Sequence, residues 1–154
     1  MDRGNCMRGR PGFTVIEMLI VLIVGSMVLG VASRSFVQVA NQRAVSNVRD
    51  EAIRVAHEAR SEALRSGRII YMRVLPDSNL VRVETSTGQV LRELDSDDFN
   101  ADMVGNRASV CYTGRGYALP GCTTVKSRQP VGFTRGGDST AVEILPLGQV
   151  RKRL

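Results

Sequence analysis

The chain has 154 residues, among them a single histidine, His57, and three cysteines, Cys6, Cys111 and Cys122. There is no C-x-x-C pair and no Cys/His cluster, and His57 is far in sequence from the other candidate ligands, so the spacing a zinc site needs is missing. The patterns G-x-S-x-G, H-E-x-x-H and G-x-x-x-x-G-K-[ST] are also absent. The lone histidine and the scattered acids form no acid/base pair that spacing would bring together. The chain therefore reads as a non-enzyme with no cofactor and no metal, and His57 as a satisfied or solvated side chain.

Charge is missing in one place where it matters. From Met18 to Ala32 nothing is charged, and Phe13 to Ile16 extend the apolar run upstream. Together they are about as long as a bilayer core requires at ~1.5 Å per residue. Arg3, Arg8 and Arg10 precede the run against Asp2, whereas only Arg34 follows closely, which favours a cytoplasmic N-terminus. The following domain would then lie outside the cytoplasm, where a disulfide persists. Beyond the first twelve residues the chain holds 18 Lys+Arg against 14 Asp+Glu. That mild excess assigns no partner by itself.

Glu17 is the exception inside this run. A charged side chain at mid-membrane costs roughly 2.5–3.5 kcal/mol on insertion scales, and no Lys or Arg on the same apolar segment offsets it. A cleaved secretory signal would need a small-residue cleavage site after the apolar core, and "GVASRS" supplies only a weak one. A plain signal anchor leaves the acid unexplained. The stretch "GFTVIE" resembles the processing site of type IV prepilins: a short basic leader ending in Gly12, then Phe13, with Glu17 fifth after the cut. The resemblance implies that a prepilin peptidase cleaves between Gly12 and Phe13 and methylates the new amine. It also implies that Glu17 neutralises the terminal amine of a neighbouring pilin or pseudopilin subunit during assembly, so that the charge is buried paired.

After Arg34 the composition changes but the helical period continues. Val37, Ala40, Ala44, Val48, Ala52, Ala56, Ala59 and Ala63 recur every three or four residues, one apolar stripe on an amphipathic helix. Charged residues fill the other faces, with Asp50 and Arg54 at i,i+4 and Glu62 and Arg65 at i,i+3. No proline occurs from Phe13 to Ser66, and Gly67 is a natural stop. One helix of about 80 Å is expected. Its alanine stripe suits close packing on strands better than a free coiled coil. Gly25 and Gly30 lower helix propensity, and are places where the segment would bend or melt locally on assembly.

Beyond Gly67 the period turns towards two. "RIIYMRVL", "NLVRVET" and "QVLREL" predict strands, with "PDSN" and "STG" as turns. "RASVCYT", "TTVKS", "PVGFT", "TAVEILP" and "QVRKR" continue the pattern, and Gly136-Gly137-Asp138 predicts a hairpin turn. "DSDDFNADM", Asp95 to Met103, reads as a solvated acidic loop; calcium is the sharper alternative, but no EF-hand pattern accompanies it. Cys111 and Cys122 bracket "YTGRGYALPG" and are a disulfide candidate; the alternative is two reduced thiols packed as small apolar groups. The expected fold class is α+β, a long helix packed on an antiparallel sheet domain. Its expected segments are a leader at 1–12, a transmembrane or fibre-core segment at 13–33, an amphipathic half at 34–66 and a β-rich domain at 67–154.

The strand-rich domain and "GFTRGGDSTAVEILPLGQVR" resemble the GspH/FimT branch of these proteins, which covers minor pseudopilins of type II secretion and minor pilins of type IV pili. The resemblance implies a non-catalytic subunit, anchored single-pass in a bacterial inner membrane with its distal domain in the periplasm. It would meet a lipid bilayer, the prepilin peptidase, an inner-membrane assembly platform and its fellow subunits. The FimT-like subset ends near a G-R-x-R element implicated in DNA binding. Here the element is Gly148, Gln149, Val150, Arg151, so its first arginine is missing. Arg151, Lys152 and Arg153, with Arg135, are the candidate phosphate contacts in this alternative; a solvated basic terminus is the plain reading.

Overall fold

A computed structural model describes residues 13–153, except for the side chains at 31–34. The leader, Gly12 included, lies outside the described residues. Helix α1 spans Val15–Ser66 and passes Gly25 and Gly30 without a break. It stops where Gly67 takes a left-handed φ of 67° and donates its N–H to the Ala63 carbonyl at 2.9 Å. The chain divides between Val37 and Gln38 into two compact units.

In the first unit most of the described helix side chains are apolar, Glu17 being the charged exception, and nearly all of them are exposed. In the second, burial of the stripe begins at Ala44 and continues through Val48, Ala52, Ala56, Ala59 and Ala63, with Val45 and Val55 added. Val37, expected on the buried stripe, is 61% exposed, and Ala40 is exposed too. The 3.6-residue period gives the face correctly but cannot say where its cover starts.

Eight strands follow: β1 Ile70–Leu75, β2 Leu80–Thr85, β3 Val90–Asp95, β4 Asp102–Gly105, β5 Ala108–Tyr112, β6 Gln129–Arg135, β7 Asp138–Ile144 and β8 Val150–Lys152. They form two antiparallel four-stranded sheets, ordered β3-β2-β1-β5 and β4-β6-β7-β8. Alternation buries Ile70, Met72 and Val74 on β1, and Val131 and Phe133 on β6. Ala52 of the helix, Met72 and Val81 of one sheet, and Phe133 and Ile144 of the other line one void of about 10 Å³, so helix and sheets share a single core. Gly136 and Gly137, both at positive φ, make the β6–β7 turn with Arg135 opposite Asp138.

Three expectations are corrected. β4 lies partly within the stretch read as an acidic loop; it is a short edge strand with Met103 as its one buried side chain, too little pattern to announce a strand. "TTVKS" forms no strand. Instead Thr124 Oγ1 accepts the Ser109 N–H at 2.8 Å and Thr123 Oγ1 that of Cys111 at 3.3 Å, so threonine hydroxyls satisfy the N–H groups on the free edge of β5, while the Thr124 and Leu119 N–H groups donate to the Ser109 and Cys111 carbonyls. Finally, Asp50 pairs with Arg49 at 2.9 Å and Lys152 at 3.2 Å, while Arg54 pairs with Glu51 and Glu58, so the expected Asp50–Arg54 pair does not form. Glu62 and Arg65 do pair, at 2.8 Å.

Candidate functional site

The site the sequence singles out sits at the helix start. Thr14 precedes the first helical residue, and its Oγ1 accepts the Glu17 backbone N–H at 3.2 Å. "TVIE", Thr14 to Glu17, is thus a capping-box sequence, a signal legible in the chain that the apolar pattern and charge count do not carry. The cap starts the helix at Val15 and sets Glu17 in the first turn, four residues from Phe13. An acid there also complements the positive end of the helix dipole. Phe13 is 77% exposed, and Val15, Ile16, Met18, Leu19 and Ile20 are exposed around Glu17. Among the described residues the Glu17 carboxylate has no ion pair. α1 is also the one described helix long and apolar enough to cross a membrane.

Cys111 and Cys122 form a disulfide with Cα atoms 6.0 Å apart. The loop it closes is internally bonded: Leu119 N–H donates to Cys111 O at 2.9 Å and Thr113 N–H to Tyr117 O at 3.0 Å. A side chain at Gly114 would collide with the backbone of Gly67, which fixes the loop against the helix end.

The candidate phosphate contacts are not brought together as a free cluster. Arg135 donates to the Phe99 carbonyl at 3.0 Å, and β7 separates its strand from β8. Arg151 pairs with Glu143 at 3.3 Å, Arg153 lies 4.0 Å from the same carboxylate, and Lys152 holds Asp50. The Arg49 hydrogen bond, assisted by Lys152, keeps the Asp50 carboxyl below its usual range despite burial. Counting charges along the sequence shows the cations but not these partners. Among the described residues no three His, Cys, Asp or Glu side chains meet as a metal site. In the acidic loop Asp95 instead accepts the Asp97 N–H at 2.9 Å, and Asp97 accepts from Asn79 at 2.7 Å.

The family model for the prokaryotic N-terminal methylation motif matches residues 7–33. A crystal structure of the type IV minor pilin FimU from Pseudomonas aeruginosa is similar with a TM-score of 0.50 and 17% identity, over 71% of this chain and 88% of that one. A second crystal form of FimU gives 0.49 and 18%, over 71% and 92%. No curated protein sequence matches the chain. At this identity the likeness to the first FimU structure speaks for the fold, whereas the motif speaks for processing by prepilin peptidase and assembly with other pilin subunits. With that motif at the head of a long helix, and antiparallel sheets packed on the helix's second half, the chain is type IV pilin-like in its methylation motif and in its fold.

Proposed function

We propose that this protein is a minor pilin: a non-catalytic subunit cut between Gly12 and Phe13, methylated at Phe13 and built into a type IV pilus through Glu17. Before assembly it is held single-pass in the inner membrane, with the N-terminus cytoplasmic and the distal domain periplasmic. The observation that carries this reading is the first unit of the chain. Phe13, Val15, Ile16 and the apolar residues that follow are exposed all round Glu17. A contiguous apolar surface of that size needs cover from lipid or from like helices. Glu17 needs a cation when the helix is covered, and its own apolar segment has none. A neighbouring subunit's terminal amine, freed by cleavage after Gly12, meets both needs at once. The basic leader supports the orientation.

The experiment is incorporation. The wild-type chain is expected in sheared surface fibres, while Glu17→Val stays in the membrane fraction and Glu17→Asp assembles in part. Equal recovery of Glu17→Val in fibres would overturn the role given to Glu17. The choice of a pilus over a secretion pseudopilus leans on the minor-pilin fold neighbour. Deleting the gene should therefore abolish piliation and twitching while protein secretion continues; the reverse pattern would make the chain a pseudopilin.

A further inference from the structure

The two sheets end in four edge strands, and three of these edges have cover. Thr123 and Thr124 lie along β5, Asn79 Oδ1 accepts the Met103 N–H of β4 at 2.9 Å, and β8 runs beside α1 with Lys152 on Asp50. The edge of β3 differs. Ser96 donates its N–H to the Asn79 carbonyl at 2.9 Å, and the register continues with Val81 opposite Leu94 and Val83 opposite Arg92. Ladder bonds alternate along an antiparallel pair, so Glu93 and Asp95 direct their N–H and C=O groups away from β2. Among the described residues nothing bonds to those groups. Beside this edge, α1 and the sheet part to leave a groove of about 490 Å³. Ala59 and Val83, both buried, lie at its base, with Glu58 and Glu62 of the helix on one side and Leu91 and Arg92 of β3 on the other. A bulge opposite Val83 shifts the register here, and Leu91 is 41% exposed. The charges around the groove are paired with one another, Arg92 with Glu51 and Glu58, and Arg65 with Glu62. An apolar side chain entering it therefore meets no uncompensated charge. At the far end of β3 the balance is one-sided. From Glu93 to Asn106 there are five acids and no Lys or Arg, and among the described residues Asp95, Asp97, Asp98 and Asp102 have no cationic partner.

We propose that the β3 edge and the groove beside it dock an extended segment of a partner polypeptide. The segment adds to the sheet as an antiparallel strand, puts one bulky apolar side chain into the groove and lays basic residues over Asp95 to Asp98. The free backbone groups select the conformation: a strand presents N–H and C=O groups outward at the matching spacing, whereas a helix uses its own internally. Alternate side chains of the added strand fall on the same side of the sheet as Arg92 and Leu94, the side that faces α1, and so reach the groove. Antiparallel pairing brings the segment's N-terminal end beside Asp95, which is where its lysines or arginines belong. Main-chain bonds supply affinity, while the groove and the acids select the partner. The site lies wholly within the second unit and does not depend on the assembly role of Glu17.

The test uses the full chain in detergent micelles and a short labelled peptide of alternating threonine and valine, with one central phenylalanine and lysines at its N-terminal end. Anisotropy should show saturable binding to the parent. Glu93→Pro removes an N–H that the ladder with β2 does not use, and should weaken binding roughly tenfold, the equivalent of one lost hydrogen bond. Glu93→Gln, which loses the same ion pair with Arg82, should bind nearly as the parent does. Leu91→Asp puts a charge at the groove and should weaken binding by a similar factor, which keeps the test sound if the proline unfolds the edge. A peptide with glutamates in place of the lysines should bind more weakly, most of all at low salt. The proposal is overturned if the parent does not bind, if Leu91→Asp or a folded Glu93→Pro binds as tightly as the parent, or if a helix-forming peptide of similar charge binds as well. It is also overturned if the parent ignores the peptide but forms dimers that Leu91→Asp abolishes, since the occupant would then be a second copy.

Discussion

The Tyr112 hydroxyl donates a 2.6 Å hydrogen bond to the Gly148 carbonyl, and the absent side chain at 148 is what lets the ring lie there. A Cβ on Gly148 would stand 2.8 Å from Tyr112 Cε1 and 3.0 Å from the Ala118 Cβ. Gly148 also has a φ of +77°, which L side chains rarely adopt. Burial pushes the phenol well above its usual range, so Tyr112 remains a neutral donor. This one contact ties the end of β5 to the turn that launches β8.

Both partners can be tested by thermal melting of the full chain in detergent. Tyr112→Phe leaves the Gly148 carbonyl without its donor and should cost about 1–3 kcal/mol. Gly148→Ala combines the clash with the strained φ and should cost more than about 1 kcal/mol. A Gly148→Ala chain as stable as wild type would show that the turn is not held as described.

The disulfide should be present in the unreduced protein. Thiol titration of the native chain should find no free sulfur from Cys111 or Cys122. Because they are 11 residues apart, replacing both by alanine should lower stability by about 2–3 kcal/mol on chain-entropy grounds. Two reactive thiols at these positions would contradict the linkage.

Acid should weaken the helix–β3 contact through Glu51. The Arg54 hydrogen bond, joined by Arg92, holds the Glu51 carboxyl below its ordinary 4.5 in spite of burial. The folded state therefore binds that proton more weakly than the unfolded chain. The stabilisation is fully present above 4.5 and is lost as the pH falls through the lower folded value. Glu51→Gln should thus lower stability at neutral pH by no more than about 1 kcal/mol, with wild type and variant converging as the solution is acidified. A gap that widens in acid would reverse the sign of this account.

Much of this molecule is legible before any coordinates. The alanine period from Ala44 to Ala63 and the Gly67 stop give the helix, and alternation gives seven of the eight strands. β4 is not legible because Asp102 to Gly105 has a single buried residue, and "TTVKS" imitates a strand although its threonines reach the β5 edge mainly through hydroxyls, with one backbone bond from Thr124 and no ladder. The division into two sheets depends on long-range register that no local pattern carries. Phe13 and Glu17 stood out because their register is local. The basic terminus looked like a free cluster because Glu143 and Asp50 become its partners only on folding.

The central claim is that Glu17 belongs to an assembling helix whose amine is made by a cut. Mass spectrometry of the N-terminal peptide from protein isolated from its own cells tests this most directly. The account predicts a chain that begins at Phe13 and carries an N-methyl group. A chain that begins after Ala32, or that keeps residues 1–12 with an unmodified amine, would contradict it.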